Sequence, residues 1–180
     1  LKLLINLLDK ININIPITLS HVSSMGLLKS DEVKVLAEKI YSHRLNIVAL
    51  PTTNSWLLGR KFGITPITRP LAPIHQLQQA GVTVAVGGDN VQDPWFPLGN
   101  FDPLSLMAFS LPLAHLAPWQ RLGLAPFTTS SARLMNLKWD GTIEEGKPAD
   151  FISIDMSPSF SCMTPNFSKS DTIVQTSSCV

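Results

Sequence analysis

The sequence predicts an α/β fold in which short parallel strands alternate with helices. Hydrophobic residues make up 44% and charged residues 15% of the 180 residues, which favours a buried core over disorder. Apolar runs short enough for buried strands lie at residues 15–21, 46–50 and 82–86, and a helical pattern precedes each run. This alternation is typical of parallel strands joined by crossover helices.

Each predicted helix of the N-terminal half has its own signal. Residues 1–12 carry apolar side chains at helical spacing, and Ser30 is a good N-cap for a second helix that continues to Ile40. Residues 73–80 predict a third helix, which begins with proline and is stopped by Gly81. The polar stretch that precedes this third helix is predicted to be a long loop, at residues 52–68.

The C-terminal half changes pattern. Helices are predicted at residues 102–116 and 129–137, with a short helical piece at 119–122. A turn-rich run at residues 141–150 leads into a strand at 151–154, after which the chain is rich in Ser and Thr. A complete parallel (β/α)₈ barrel takes about 250 residues. We therefore expect either the last part of such a barrel or a small open sheet.

Composition and missing motifs exclude several classes of function. The net charge is +1 without a basic cluster, so we expect no nucleic-acid partner, and no apolar run is long enough to span a membrane. Cys162 and Cys179 match neither a disulfide framework nor a zinc spacing, which favours the cytoplasm. The pair Gly87-Gly88 lacks the dinucleotide-binding spacing, and no P-loop, G-x-S-x-G or C-x-x-C is present.

Two residues at strand ends are the candidates for chemistry. His21 ends the first strand and Asp89 follows the third, so in a parallel sheet both project from the same edge and could share one site. The alternatives are a histidine bonded to a backbone carbonyl and an aspartate that caps a turn.

Other polar and aromatic residues allow two interpretations each. Asn54 and Arg60, in the predicted loop, could contact a substrate or only solvent. Trp95 could stack on a flat ring or pack on its own fold, and Asp93 could cap the turn before Pro94 rather than touch a substrate. Three histidines are expected to be structural: His43, His75 and His115.

Four segments together resemble the amidohydrolase superfamily, and within it the cytosine deaminase-like group. These are SHVSSM at residues 20–25, the segment 51–60 that begins with PTTN and ends with GR, GGDNVQDPWFPLG at 87–99, and GTIEEGKPADF at 141–151. The resemblance implies the C-terminal portion of a metal-dependent hydrolase (β/α)₈ TIM barrel, strands six to eight. Residues 1–140 would form this partial barrel. Residues 141–180 would form part of a small β-sandwich domain and an irregular tail, with a remnant strand at 171–174.

The resemblance also implies a site. Asp89 would bind a divalent metal, zinc or iron, and shuttle a proton from the metal-bound water, while His21 would orient that water. Trp95 would cover the flat ring of the substrate, and Asn54 is expected to contact it. The His-x-His pair of the superfamily is absent from the sequence. We therefore expect a fragment that binds metal weakly and is inactive alone.

The function implied for the complete enzyme is hydrolysis of a non-peptide C–N bond in a cyclic amidine or in a pyrimidine- or triazine-type substrate. Its partner would be a small heterocycle, without nucleic acid or membrane. The alternative is a non-catalytic remnant, a half-barrel that self-associates or binds a partner, because its open edge and apolar inner face would be exposed.

Overall fold

A three-stranded parallel sheet is the centre of the fold. The structure is a computed structural model that describes residues 1–11, 13, 15–120, 122–153 and 172–175. The strands lie in the order β1 (Ile17–Ser20), β2 (Leu45–Ala49) and β3 (Val84–Val86). Both pairings are parallel, which confirms the predicted arrangement.

Helices connect and cover the strands. The α-helices of the described residues are α1 (Lys2–Leu8), α2 (Ser30–Ser42), α3 (Pro51–Leu57), α4 (Ile74–Gln79), α5 (Pro103–Leu113) and α6 (Thr129–Leu134). Single 3₁₀ turns occur at Ser23–Leu27 and Ala125–Phe127. Helix α2 lies between β1 and β2 in the chain, and α3 and α4 lie between β2 and β3. The sequence order thus follows the alternation that the apolar periodicity predicts.

The core lies between the sheet and the helices. Helix α2 buries one face, Val33, Leu36, Ala37 and Ile40, as its helical spacing predicts. Ile40, Ile47 and Leu77 have no exposed surface, so α2, β2 and α4 meet in a close-packed centre. This centre fixes the strand ends from which the candidate site projects.

The predicted loop at residues 52–68 is wrong in its first part, which forms helix α3. Pro51 stands at the first helical position, where its fixed φ suits a helix and its missing N–H costs nothing. The N–H of Asn54 then donates to the carbonyl of Leu50, 3.0 Å away. Gly59, at φ 74°, ends this region in a conformation that favours glycine.

Other helix boundaries are shorter than predicted. Helix α1 ends at Leu8 because the N–H groups of Lys10 and Ile11 both bond to the carbonyl of Leu7 and turn the chain. Helix α6 ends at Leu134, before the left-handed Asn136. The predicted helical piece at 119–122 is a turn in its described residues.

A second sheet pairs β4 (Asp150–Ser153) with β5 (Thr172–Gln175) in antiparallel register. This confirms a strand at the exit from the turn-rich run, and β5 overlaps the expected remnant strand. Ile154 and Asp171 lie outside the described residues. The small β-sandwich and the domain boundary after residue 140 stay predictions. No helix within the described ranges is both long and apolar enough to cross a membrane.

Candidate active site

His21 and Asp89 meet at the carboxyl edge of the parallel sheet. His21 follows β1, Asp89 follows β3, and Nε2 of His21 lies 3.9 Å from Oδ2 of Asp89. Their side chains are 45% and 28% exposed, so both groups are open to a third molecule. The structure therefore brings together the two residues that the sequence placed at strand ends.

The backbone at His21 is held in an uncommon conformation. His21 and Val22 both have positive φ, at 64° and 42°, which is costly for residues with a side chain, most of all for a β-branched one. The N–H of His21 continues the sheet by donating to the carbonyl of Val48, 3.0 Å away. The sheet thus holds a turn that aims the imidazole across the strand ends.

Asn54 lies behind His21. It is 4% exposed on helix α3, and its Nδ2 donates to Nδ1 of His21 across 3.0 Å. Because Nδ1 accepts in this arrangement, a neutral imidazole carries its proton on Nε2, the nitrogen that faces Asp89. Oδ1 of Asn54 is buried with no partner among the described residues. Asn54 therefore holds His21 through the Nδ1 atom of the imidazole.

A cavity of about 560 Å³ adjoins Asp89. Its wall includes Asp89 and Asn90 but neither His21 nor Asn54. Trp56 and Phe96 form an aromatic part of the wall, with ring centroids 6.3 Å apart in an edge-to-face arrangement. Helix α5 adds apolar side chains, Leu106, Phe109 and Leu113. The cavity therefore has the size and the flat apolar surfaces that suit a small ring.

Sequence reasoning missed Trp56 because it placed the residue in a loop. The signal that could have found it is Pro51, which commonly stands at the first position of a helix. A helix that begins at Pro51 carries Asn54 towards His21 and Trp56 towards the cavity.

Trp95 lies outside the cavity wall, and its side chain is 60% exposed. Asp93 accepts hydrogen bonds from the N–H groups of Trp95 and Phe96, at 2.9 and 2.8 Å, and from Nδ2 of Asn90. Partial desolvation raises the pKa of Asp93, but the bonds from Phe96, Asn90 and Trp95 outweigh it and hold the pKa below its ordinary value. Asp93 thus caps its turn, the structural alternative that the sequence left open.

The cavity wall also carries positive charge. Arg60, Lys61 and Arg69 all line it, and the guanidinium of Arg60 lies 5.0 Å from the centre of the Trp56 ring. Planar guanidinium groups stack favourably on aromatic faces. Helix α3 therefore contributes aromatic surface to the cavity, and the residues after it contribute cationic surface.

Asp89 and His21 do not fit a catalytic metal by themselves. Catalytic zinc sites use about three protein ligands and keep one open position. The described part of the chain has no group of three His, Cys, Asp or Glu side chains that could hold an ion. The pair offers one carboxylate and one imidazole, a smaller set than such a site needs.

In (β/α)₈ barrel enzymes the active-site residues lie at the carboxyl ends of the parallel strands, where His21 and Asp89 lie in this chain. The chain belongs to the amidohydrolase family, whose profile matches residues 9–176. Within it, the chain resembles the cytosine deaminase-like group. This confirms the family resemblance carried by the sequence motifs.

Two curated relatives share 30% identity with the chain. They are a pterin deaminase of Rhizobium rhizogenes, over 136 residues, and an N-isopropylammelide isopropyl amidohydrolase of Pseudomonas sp., over 90 residues. These alignments cover 76% and 49% of this chain, but only 31% and 22% of the relatives. The chain thus spans about a third or less of the length of these relatives.

Solved structures show the same partial overlap. The 5-methylcytosine deaminase of Klebsiella pneumoniae, liganded with 5-fluorocytosine, matches at 31% identity and a TM-score of 0.64, over 77% of this chain and 34% of that one. The N-isopropylammelide isopropylaminohydrolase of Burkholderia multivorans matches at 24% identity and a TM-score of 0.59, over 77% and 32%, and supports the fold alone. The described α/β sheet therefore resembles part of amidohydrolase barrel structures.

Proposed function

We propose that this chain contributes the Asp89–His21 part of an active site that hydrolyses a C–N bond of a small nitrogen heterocycle. The observation that carries the proposal is the open pair itself: two groups 3.9 Å apart at the edge of a parallel sheet, one of them in a cavity wall. That separation is too long for a hydrogen bond, so both groups keep the capacity to bind a third atom.

The chemistry assigned to the pair is general acid–base catalysis. Asp89 accepts a proton from the attacking water as the new C–O bond forms at the ring carbon. It then returns the proton to the nitrogen as the C–N bond breaks and ammonia or an amine leaves. As the C–O bond forms, the electron pair of the ring C=N bond moves onto the ring nitrogen, and it re-forms that bond when the protonated nitrogen leaves. The Nε2–H of His21 donates a hydrogen bond to the attacking oxygen and so orients it. Asn54 keeps the imidazole in the orientation that allows this donation.

Members of the amidohydrolase family usually bind a divalent metal. We assign Asp89 as the ligand for zinc or iron that this chain would supply. A metal would lower the pKa of its bound water. Since the described residues offer only two donors, tight binding would need further ligands.

The relatives and the cavity support the proposed substrate class. The relatives are named for pterin, 5-methylcytosine and N-isopropylammelide, all of which are flat nitrogen heterocycles. Trp56 and Phe96 offer aromatic surface in the wall next to Asp89. Trp95 stays a predicted contact: its exposed ring would have to close over the ligand from outside the wall.

The proposal is tested by release of ammonia or amine from a panel of aminopyrimidines, aminotriazines and pterin, assayed on the natural gene product at its natural length. The Asp89→Asn variant should lose release, whereas Asp9→Asn, which removes an equal charge elsewhere, should keep it. Equal activity of the two variants would refute the role of Asp89. The 180-residue chain alone is predicted to be inactive.

The alternative function is binding of a partner or self-association without catalysis. Large exposed apolar side chains near the cavity favour it, namely Phe62, Ile67 and Phe101. Size-exclusion chromatography with light scattering separates the two proposals when combined with metal analysis. Tightly bound stoichiometric zinc or iron would exclude the non-catalytic reading, and a monodisperse monomer would exclude self-association.

A further inference from the structure

The cavity next to Asp89 has an excess of positive charge. Arg60, Lys61 and Arg69 line it, whereas Asp89 is the one acidic residue among the described residues of its wall. None of the three cations forms an ion pair with a described residue. The sequence has no Asp or Glu between Glu38 and Asp89, so the segment that carries these cations has no acid of its own.

The nearest acids after Asp89 are already bound to other groups. Asp93 accepts bonds from Asn90 and from the backbone of its own turn. Asp102 caps helix α5 by accepting from the N–H of Leu104 and the hydroxyl of Ser105, at 2.9 and 2.7 Å. Neither carboxylate lines the cavity. Arg60, Lys61 and Arg69 are all exposed, so the positive charge of the wall is accessible to a ligand.

Arg60 is well suited to bind such a ligand. Its guanidinium lies 5.0 Å from the centre of the Trp56 ring, in the same wall. Stacking limits the freedom of the planar fork, and a guanidinium fork matches the two oxygens of a carboxylate. A ring that contacts Trp56 would thus place a substituent within the region that Arg60 can reach.

We propose that the ligand of this cavity is a flat nitrogen heterocycle that carries an anionic substituent, a carboxylate in the simplest case, bound by Arg60 and Arg69. The heterocycle rests on the proposed function, while the anionic substituent rests on the unpaired cations of the wall. An uncharged ring would form no ion pair with these cations, whereas an anion would accept charge-assisted hydrogen bonds from them.

The test compares two matched pairs of probes, cytosine with 5-carboxycytosine and pterin with 6-carboxypterin. Their dissociation constants are measured by isothermal titration calorimetry on the natural gene product at its natural length, for the wild type and for the variants Arg60→Gln and Arg69→Gln. Lys34→Gln serves as the control, because it removes the same charge from an exposed site on α2 outside the cavity wall.

We expect the carboxylated member of at least one pair to bind roughly tenfold more tightly than its neutral partner, a gain of the size of a charge-assisted hydrogen bond. Arg60→Gln and Arg69→Gln should each remove most of that gain, so that the affinities of the two members of a pair become nearly equal. Lys34→Gln should preserve the gain, and raising the salt concentration should reduce it.

Two outcomes would overturn the inference in different ways. If both members of each pair bind equally and Arg60→Gln changes neither, the anionic substituent is wrong while the proposed heterocycle stands. If inorganic phosphate or acetate alone binds as tightly as the carboxylated rings, the cations form a general anion site and the ring part fails. Absence of binding by all four heterocycles would count against both this inference and the proposed function.

Discussion

Two His–Asp pairs occur among the described residues, and they differ in the distance between their partners. In the first pair, Nε2 of His43 lies 2.7 Å from Oδ1 of Asp9, whose other oxygen accepts from Nζ of Lys39 at 3.3 Å. In the second pair, Nε2 of His21 lies 3.9 Å from Asp89. We call them the closed pair and the open pair.

The closed pair joins the end of α1 to the end of α2. Both carboxylate oxygens of Asp9 already have hydrogen-bond partners. The hydrogen bond from His43 is the main cause that lowers the pKa of Asp9, and the bond from Lys39 adds to it. The open pair stands at strand ends beside a cavity, with Asn54 holding the far side of its histidine. The short contact of the closed pair therefore links two helices, whereas the longer distance in the open pair leaves both side chains available to bind a ligand.

The largest expected effect is a difference in enzyme activity between variants of the open pair and variants of the closed pair. Asp89→Asn should lower kcat for C–N hydrolysis by roughly 10²–10⁴-fold, because the amide cannot accept and return the proton. The matched change in the closed pair, Asp9→Asn, should leave kcat within about twofold. Steady-state kinetics of ammonia release on the natural gene product measures both. If Asp9→Asn lost as much activity as Asp89→Asn, the distinction between the pairs would fail.

The next effect tests the support of the open pair. Asn54→Ala should lower kcat by roughly 10–100-fold with little change in KM, since Asn54 holds His21 but does not line the cavity. Thr53→Val is the control: it changes the neighbouring buried residue, whose hydroxyl has no partner among the described residues. A KM effect as large as the kcat effect would instead support the direct substrate contact first expected for Asn54.

A smaller effect, on KM, tests which aromatic side chain contacts the ligand that binds beside the open pair. Trp56→Leu should raise KM by roughly 3–10-fold, the size expected for lost aromatic contacts, because Trp56 lines the cavity. Trp95→Leu should change KM less, since its ring is exposed outside the wall. Paired measurements of KM decide between them, and a larger effect at Trp95 would restore the contact that the resemblance implied.

The smallest effect concerns the stability of the closed pair. The pKa of Asp9 is lowered from its ordinary value of 3.8, so its ion pair stabilises the fold above that pH, and the contribution is lost as the pH falls through the lowered pKa. Asp9→Asn should therefore lower Tm near neutral pH, and the difference from the wild type should shrink in acid. Thermal unfolding followed from about pH 7 to pH 3 measures this. A difference that does not change with pH would contradict the assignment.

Much of the site could be read from particular residues. The apolar runs before His21 and Asp89 predict buried strands, and their alternation with helices predicts that both strands end at the same edge. The role of Asp93 as a turn cap was one of two stated alternatives, and its hydrogen bonds decide between them. These predictions succeeded because each depends on a local pattern of side chains and on a general rule of parallel sheets.

Other parts of the site could not be read in this way. Asn54 was placed in a loop, yet it lies on a helix and bonds to His21, a residue 33 positions away. The aromatic wall combines Trp56 with Phe96, from different parts of the chain. Neither contact has a local signal, because the first depends on how α3 packs against the turn after β1 and the second on how α3 packs against the loop after β3.

By itself, the sequence determined the order of strands and helices, the placement of His21 and Asp89 at the ends of strands, and the motifs of the amidohydrolase family. Only the tertiary structure decided which His–Asp pair is open, which residue supports His21 and which aromatic rings and cations share the cavity. The physical reason is the separation of the residues along the chain. Hydrophobic periodicity is a pattern of near neighbours in the sequence, whereas the distance between two side chains far apart in the sequence depends on how the helices and strands that carry them pack.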